Sequence, residues 1–252
     1  MSGAGIEIRD LAKRYTPRRG VIVEAIRHLD FTVAAGEFLA IVGPSGCGKS
    51  TLLHLIAGLE QPSHGSIRIG GLVPEDVVKH HGLGIAFQDS ALLPWLSVED
   101  NLALPFKLAG VAVNRREVLS LIELVGLRGF ERTRPRQLSG GMRQRAAIAR
   151  SLCLDPDLLL LDEPFGALDA VTRRRLNIEL ERIWQARAIT TLLVTHSVEE
   201  ALFLSDRTIV MEKPGAIAQV VNVPFPRPRT PELLRCDEFH RLTDQVTLCL
   251  QP

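Results

Sequence analysis

The chain has 252 residues, enough for one large domain or for a domain with an embedded subdomain. Its 30 Lys and Arg residues balance 29 Asp and Glu residues, so the net charge of +1 gives no indication of nucleic-acid binding. The 4 cysteines form neither a CxxC pair nor a cluster with histidine, which favours a reduced, cytosolic compartment. Because no signal peptide and no window of ~20 apolar residues is found, we expect a soluble protein.

Hydrophobic patterning predicts strands that alternate with helices, which indicates a doubly wound α/β core. A polar turn is predicted at residues 17–20, and residues 50–59 and 170–187 are predicted to be helical. The predicted strands cover residues 6–9, 29–33, 38–42, 66–69, 84–87, 158–161, 190–194 and 208–211. A last amphipathic helix carries Phe239, Leu242, Val246 and Leu250 on one face, and we expect this face to pack on the core.

A glycine-rich loop follows the third predicted strand and matches the pattern G-x-x-x-x-G-K-[ST]. Its glycines allow backbone N–H groups to surround a phosphate at the start of a helix. Lys49 would reach the β- and γ-phosphates, and the Ser50 hydroxyl would bind Mg²⁺. The predicted nucleotide-binding residues of this loop are Gly43, Pro44, Ser45, Gly46, Cys47, Gly48, Lys49, Ser50 and Thr51.

Cys47 lies inside this loop, near a helix N-terminus and Lys49, and both neighbours favour a thiolate. We therefore expect a bulky maleimide to react with Cys47 and to inhibit the protein, and bound nucleotide to protect it.

An apolar stretch, Ala-Leu-Leu-Pro-Trp-Leu at residues 91–96, precedes a capping box at residues 97–100. This stretch is too apolar for a solvated loop, so Leu93, Trp95 and Leu96 either bind a partner or pack internally. Beyond it the pattern is helical as far as about residue 154, with helix starts predicted at Ser97, Asn114 and Ser139. This helical block is predicted to be an insertion into the α/β core.

A second glycine-rich site, Ser139-Gly140-Gly141, opens the last helix of this block. Ser139 is a favourable N-cap, and the helix N-terminus behind it can bind an anion. The site lies 20 residues before the carboxylates described next, and it has no evident use in the same active centre. Two phosphate sites and one carboxylate pair indicate an ATPase that works face to face with a second copy of itself.

Two carboxylates, Asp162 and Glu163, follow four leucines that form a predicted buried strand. Ligands of open α/β sheets bind at the carboxyl ends of the strands, which places both acids beside the glycine-rich loop. Asp162 would hold Mg²⁺ through water or with Ser50, and Glu163 would orient and deprotonate an attacking water. The alternative is a pair of surface acids that ends a strand.

In this order the motifs resemble those of ATP-binding subunits of ABC transporters, and the resemblance covers nearly the whole chain. Residues 43–51 resemble Walker A, residues 138–142 the signature, and Asp162 and Glu163 Walker B. The signature of this family usually ends in glutamine, whereas this chain has Met142. The remaining matches are Gln88 with the Q-loop, residues 167–169 with the D-loop, His196 with the switch histidine, and Tyr15 with the aromatic that stacks on adenine.

The resemblance implies a P-loop NTPase (RecA-like) core with an N-terminal antiparallel β subdomain and an inserted helical subdomain. The implied boundaries are 1–90 and 155–223 for the core with its β subdomain, 91–154 for the helical subdomain and 224–252 for the tail and last helix. ATP would lie between Lys49 of one subunit and the Ser139–Gly141 helix start of a second copy. Gln88 would contribute to the Mg²⁺ site, His196 would contact the γ-phosphate, and Tyr15 could instead be a core residue at a strand edge.

The details of residues 87–95, 162–169 and 213–229 are similar to one group of importers, which transports nitrate, aliphatic sulfonates and taurine. The resemblance implies integral-membrane permease subunits as direct partners, a solute-binding protein as an indirect partner, and a peripheral location on the cytoplasmic face of the membrane. One alternative is a soluble ABC-type ATPase of translation or DNA repair. A P-loop GTPase or nucleotide kinase is another, although no Asn-Lys-x-Asp motif occurs.

Overall fold

The strands form two sheets within residues 3–16 and 22–250, which the computed structural model describes. The turn predicted at residues 17–20 lies outside these ranges. The strands are β1 Ile6–Tyr15, β2 Val23–Val33, β3 Phe38–Val42, β4 His64–Ile69, β5 Leu83–Ala86, β6 Leu158–Asp162, β7 Thr190–Thr195, β8 Arg207–Glu212 and β9 Ala216–Asn222.

The larger sheet has the strand order β5-β6-β7-β3-β8-β9, in which only β9 runs antiparallel to its neighbour. Strands β3 and β7 are buried along their whole length, and β6 is buried up to its last residue. Apolar residues therefore fill both faces of these strands, as expected where a parallel sheet is covered on both sides. The predicted strands in this sheet are confirmed within one or two residues, whereas β9 was not predicted.

The smaller sheet is antiparallel, with the order β2-β1-β4. Its first two strands are longer than predicted, by six residues at the end of β1 and by six at the start of β2. The pairing register shifts between Ile8 and Leu11, and Asp10 and His28 have positive φ angles of 45° and 46°. These irregularities interrupt the two-residue alternation by which the sequence identifies a strand.

The helices surround the larger sheet and include a helical segment between β5 and β6. Side chains of Ser97, Asn114 and Ser139 accept backbone hydrogen bonds at three helix starts, which confirms those predictions. Two short helices, α2 and α7, were not predicted. The helices are α1 Lys49–Ile56, α2 Pro74–Lys79, α3 Val98–Leu108, α4 Arg115–Leu124, α5 Gly140–Ser151, α6 Ala170–Arg187, α7 Val198–Leu204 and α8 Asp237–Leu248.

Two hydrophobic clusters lie on opposite faces of the larger sheet. One contains α1 and the inner face of the antiparallel sheet, and the other contains the helical segment and α8. Phe239 and Val246 of α8 are buried in the second cluster, and Leu242 and Leu250 pack against it, as predicted. Among the described residues, none of the helices combines the length and apolar character needed to cross a bilayer.

Two arginines attach the tail that follows β9 to the rest of the fold. Arg229 is 4% exposed, and its Nη1 donates to the carbonyl oxygens of Leu202, Phe203 and Ser205 at the end of α7, at 3.2, 3.1 and 2.6 Å. Arg227 lies over the ring of Trp184, 4.0 Å from its centroid. Carbonyl groups at a helix C-terminus lack intrahelical partners, so Arg229 satisfies groups that would otherwise be buried without one.

We expect Arg229→Ala to destabilise the fold by about 3 kcal/mol, because it leaves buried carbonyl groups unpaired. For a domain of this size, this loss corresponds to a melting temperature lower by about 6 to 12 °C. Differential scanning calorimetry of Arg229→Ala and of the exposed control Arg116→Ala measures the effect. Equal melting temperatures for the two variants would contradict the role given to Arg229.

Candidate functional site

The glycine-rich loop joins the end of β3 to the start of α1. Gly46 and Gly48 have φ angles of 77° and 99°, which side chains rarely adopt, and a Cβ atom at Gly48 would lie 2.3 Å from the Ala25 carbonyl oxygen. Lys49 is 6% exposed, and its Nζ donates to the carbonyl oxygens of Gly43 and Pro44 at 2.8 and 3.2 Å. The loop therefore encloses the ammonium group at a helix N-terminus, where phosphate groups bind.

Ser50 and Asp162 meet at the edge of the larger sheet, where β6 ends beside the start of α1. The Ser50 hydroxyl donates to Asp162 Oδ1 at 3.3 Å. Burial is the largest cause that raises the pKa of Asp162, while Ser50 lowers it and the charge of Glu163 raises it. A hydroxyl and a carboxylate are ligands that suit Mg²⁺, which completes its shell with water and substrate phosphates.

Glu163 and His196 lie at the ends of the neighbouring strands β6 and β7. Asp162 pairs with Val194 in the parallel register, and the Glu163 N–H donates to the Val194 carbonyl at 2.8 Å. His196 Nδ1 lies 3.2 Å from Glu163 Oε2, and both side chains are partly exposed. Glu163 has a φ angle of 44°, a strained conformation for a side-chain residue that the surrounding structure must maintain.

The signature region lies beside Gln88 and the loop that follows Glu163. Gln88, Gly140, Pro164 and Leu168 line one open cavity of about 390 Å³. Ser139 is exposed, and its Oγ accepts from the Met142 N–H at 3.2 Å. Gly141 is buried in the first turn of α5. Within residues 3–16 and 22–250, no hydrogen bond joins Ser139 or Gly140 to the glycine-rich loop.

Two side chains of α5, neither of which was predicted, hold the backbone on both sides of Gln88. Gln144 is 5% exposed, and its Nε2 donates to the Phe87 carbonyl at 2.9 Å. Arg150 donates to the carbonyls of Ala91 and Ser90 at 2.7 and 3.1 Å. A polar residue at a buried position of a helix is the signal that could have identified Gln144.

Tyr15 lies at the end of β1, close to α1. Its hydroxyl donates to Glu60 Oε2 at 2.5 Å, and Lys13 Nζ lies 5.0 Å from the ring centroid. Burial is the main cause that raises the pKa of this hydroxyl; Glu60 raises it further, whereas Thr51 lowers it. Tyr15 is half-buried, and both the stacking on adenine and the alternative of a core residue at a strand edge stay predictions.

The thiol of Cys47 does not lie where the sequence predicted. Cys47 is 1% exposed. Its Sγ packs against Gly43, where an added Cβ atom would lie only 2.6 Å from the sulfur. Burial raises the pKa of this thiol more than Lys49 lowers it, which is the opposite of the expected shift. The expectation of a reactive thiolate was therefore wrong, because a position inside the motif does not reveal which way the side chain points.

The apolar stretch at residues 91–96 presents its tryptophan to solvent. Trp95 is 66% exposed, which overturns internal packing for this residue, while Leu93 and Leu96 are half-buried. The fully buried Asn101 side chain fixes this stretch: its Oδ1 accepts from the Leu93 N–H at 2.8 Å, and its Nδ2 donates to the Leu93 and Leu96 carbonyls at 3.2 and 3.3 Å. The role of Asn101 was not predicted.

A family model described as ABC transporter matches residues 26–166. An aliphatic sulfonates import ATP-binding protein of Bacillus cereus is 44% identical over 227 residues, which cover 88% of this chain and 89% of that protein. A nitrate import ATP-binding protein of Synechococcus elongatus is 44% identical over 228 residues, which cover 88% and 82%. An uncharacterized ABC transporter ATP-binding protein of Methanocaldococcus jannaschii is 46% identical over 239 residues, which cover 91% and 88%.

Solved structures give the same result for the fold. A dimeric ATP-binding cassette in a post-hydrolysis state, bound to ADP and phosphate, superposes with a TM-score of 0.76 at 29% identity. The alignment covers 88% of this chain and 100% of that chain. The predicted P-loop NTPase (RecA-like) fold, with its antiparallel β and helical additions, is confirmed.

We expect maleimide to modify Cys249 in the folded protein and to leave Cys47 and Cys153 unmodified. Cys249 is exposed, whereas the other two are buried, and burial raises the pKa of Cys153 to about 12. Peptide mapping by mass spectrometry after timed labelling measures each site, and a urea-unfolded sample shows that all three can react. Labelling of Cys47 as fast as Cys249 in the folded protein would contradict the buried position.

Proposed function

This chain belongs to the ABC transporter family, and we propose that it is the ATP-hydrolysing subunit of an importer for a small anionic solute such as nitrate, an aliphatic sulfonate or taurine. The enzyme class, an ATPase of an ABC-type importer, follows from the family and from the importer subunits to which the chain is similar. The finer assignment of the solute is supported by two relatives, which are import ATP-binding proteins for aliphatic sulfonates and for nitrate, and for taurine by the motif resemblance alone.

One observation supports the proposed catalytic centre above the others. Lys49, the Ser50–Asp162 pair and the Glu163–His196 pair all lie at the carboxyl ends of β3, β6 and β7. An ATP whose β- and γ-phosphates contact Lys49 would therefore place its γ-phosphate near Glu163 and His196.

We assign each group one task in hydrolysis. Lys49 binds the β- and γ-phosphates, and its charge stabilises the negative charge on the transferred group. Glu163 accepts the proton of the attacking water and orients it for in-line attack. His196 donates a hydrogen bond to the γ-phosphate while its Nδ1 faces Glu163. Tyr15 is proposed to stack on adenine, close to the α1 residue Thr51.

Mg²⁺ fits the oxygen ligands that the chain offers. Ser50 and Asp162 would hold it, with Gln88 as a further oxygen donor from the neighbouring loop. The ion would neutralise the charge on the phosphates. Among the described residues, no group of three or more His, Cys, Asp or Glu side chains could hold a metal. An Mg²⁺ ion held by Ser50 and Asp162 would take its remaining ligands from water and phosphate.

A second copy of the chain is proposed to complete each ATP site. The exposed Ser139 caps the start of α5 at Gly140 and Gly141, and no hydrogen bond between described residues joins Ser139 to the Lys49 loop of the same chain; its Oγ accepts from the Met142 N–H instead. The N–H groups at this helix start would bind the phosphates held by Lys49 of the partner. The similar solved cassettes are dimeric, which supports a dimer, and the head-to-tail arrangement is part of the proposal.

The permease is proposed to bind at the apolar stretch of residues 91–96, with Trp95 as the anchor. A tryptophan that is 66% exposed, in the segment that follows Gln88, is the kind of residue that carries binding energy at an interface. The subunit would then be peripheral on the cytoplasmic face of the membrane, with a solute-binding protein reached through the permease. The proposed organisation keeps 1–90 and 155–223 as the core with its β subdomain, 91–154 as the helical subdomain and 224–252 as the tail.

We expect Glu163→Gln to lower kcat for ATP hydrolysis by about 100-fold or more while ATP still binds, because the amide cannot accept the proton. Analytical size exclusion with MgATP should show a stable dimer of this variant. In proteoliposomes with the permease and solute-binding protein, the variant should also abolish uptake of labelled nitrate, taurine or alkanesulfonate.

Glu199→Gln serves as the matched control for Glu163→Gln, since it removes a half-buried carboxylate that pairs with Arg174. Hydrolysis by Glu163→Gln at the wild-type rate would show that the base is misassigned. If the wild-type complex takes up none of these solutes when ATP is supplied, the proposed solute class is wrong.

We expect Trp95→Asp to prevent assembly with the permease while the isolated subunit keeps its melting temperature, because a charge would be buried without a partner only in the complex. Trp184 provides the contrast, since it packs against the buried Phe38, with the two ring centroids 5.7 Å apart. Trp184→Asp should lower the melting temperature sharply. Co-purification and thermal unfolding of both variants measure the outcome. A Trp95→Asp subunit that still co-purifies with its permease would refute the docking role.

A further inference from the structure

Glu200 is a buried carboxyl group close to the proposed catalytic centre that has no task in hydrolysis so far. It lies in the first turn of α7, four residues after His196, and is 3% exposed. Helix α7 packs against β7 and α6, which enclose this side chain. A carboxyl group buried in this way is costly unless its hydrogen bonds serve the surrounding structure.

The hydrogen bonds of Glu200 connect the residues on both sides of His196. The Thr195 hydroxyl donates to Glu200 Oε2, and the Ser197 N–H donates to Thr195 Oγ1 at 3.1 Å. The Glu200 N–H donates to Ser197 Oγ at 3.3 Å. These three bonds form a closed ring through Thr195, Ser197 and Glu200, which are bonded to one another on both sides of His196, and Glu200 supplies the only carboxyl group of the ring.

The second oxygen of this carboxyl group, Oε1, is buried and has no hydrogen-bond partner among the described residues. Burial is the largest cause that raises the pKa of Glu200. Of the groups that face it, Thr195, Arg173 on α6 and His196 lower this pKa, and Glu163 raises it. The buried position therefore favours the neutral acid, which can still accept the hydrogen bond from Thr195.

We propose that Glu200 is a positioning residue for His196, and that it acts through Thr195 and Ser197. By fixing the backbone on both sides of the histidine, the ring keeps the imidazole beside Glu163 and directed towards the γ-phosphate. The side chain and N–H of Glu200 bond to Thr195 and Ser197 and not to the residues proposed to bind ATP, so its effect falls on the hydrolytic step rather than on nucleotide binding. The inference deepens the proposed function and rests on the role given there to His196.

The test compares three substitutions at two positions of the ring. Glu200→Leu removes the acceptor with little change in volume, Thr195→Val removes the hydroxyl, and Glu200→Gln keeps an acceptor and resembles the neutral acid. We expect the first two to lower kcat about tenfold, with KM for ATP changed less than about twofold. Glu200→Gln should stay within about twofold of wild type. Glu199→Gln, at the half-buried partner of Arg174, is the matched control on the same helix turn.

Two further measurements distinguish a role of Glu200 in folding stability from a role in positioning His196. Thermal unfolding shows whether a lower kcat reflects lost folded protein, and Thr195→Val serves as the second probe if Glu200→Leu does not fold. Glu200→Leu is also combined with His196→Ala. If Glu200 acts through the histidine, the double variant has the kcat of His196→Ala alone.

Three results would overturn the inference: wild-type kcat for folded Glu200→Leu, an equal loss in Glu200→Gln, or a full additional loss in the His196→Ala background. These outcomes differ from a failure of the proposed function. Wild-type kcat for His196→Ala would remove the histidine from the proposed site, whereas an inactive His196→Ala beside an unaffected Glu200→Leu would remove only Glu200.

Discussion

The parallel pairing of β3, β6 and β7 is the constraint on which the rest of the site depends. Val42 pairs with Thr195 and Asp162 pairs with Val194, so the three strands end at the same level. Each strand is then followed by a group of different chemistry: a loop with a buried lysine, two carboxylates and a histidine. A one-residue slip in this register would exchange the two faces of a whole strand, and the close packing of different side chains on each face opposes it.

Backbone conformation then determines where each of these groups points. Gly48 has a positive φ angle and no side chain, and a Cβ atom at this position would lie 2.3 Å from the Ala25 carbonyl oxygen. The close approach of the loop to Ala25 therefore requires glycine. Glu163 adopts φ 44° without being a glycine, which turns its side chain towards His196. Such strain is maintained only where packing determines the conformation, and the buried leucines of β6 provide that packing.

How far the sequence predicts this structure depends on how local each signal is. The buried strands, the caps Ser97, Asn114 and Ser139, and the spacing of the motifs are local, and the structure agrees with them. The direction of the Cys47 side chain and the full length of β1 depend on packing and on register shifts that no periodicity reveals. The roles of Gln144, Arg150 and Asn101 depend on backbone carbonyl and N–H groups distant in sequence, which carry no side-chain pattern.

Helix α5 connects two surfaces that the sequence treats as separate motifs. Its N-terminus is the exposed Ser139 site, and its side chains Gln144 and Arg150 bind the carbonyls of residues 87, 90 and 91. These hydrogen bonds are made by a helix, so the bonded backbone cannot shift without moving α5 or losing them. Gln88 lies between the bonded carbonyls, so the backbone on both sides of Gln88 and the exposed Ser139 helix start are held by the same helix.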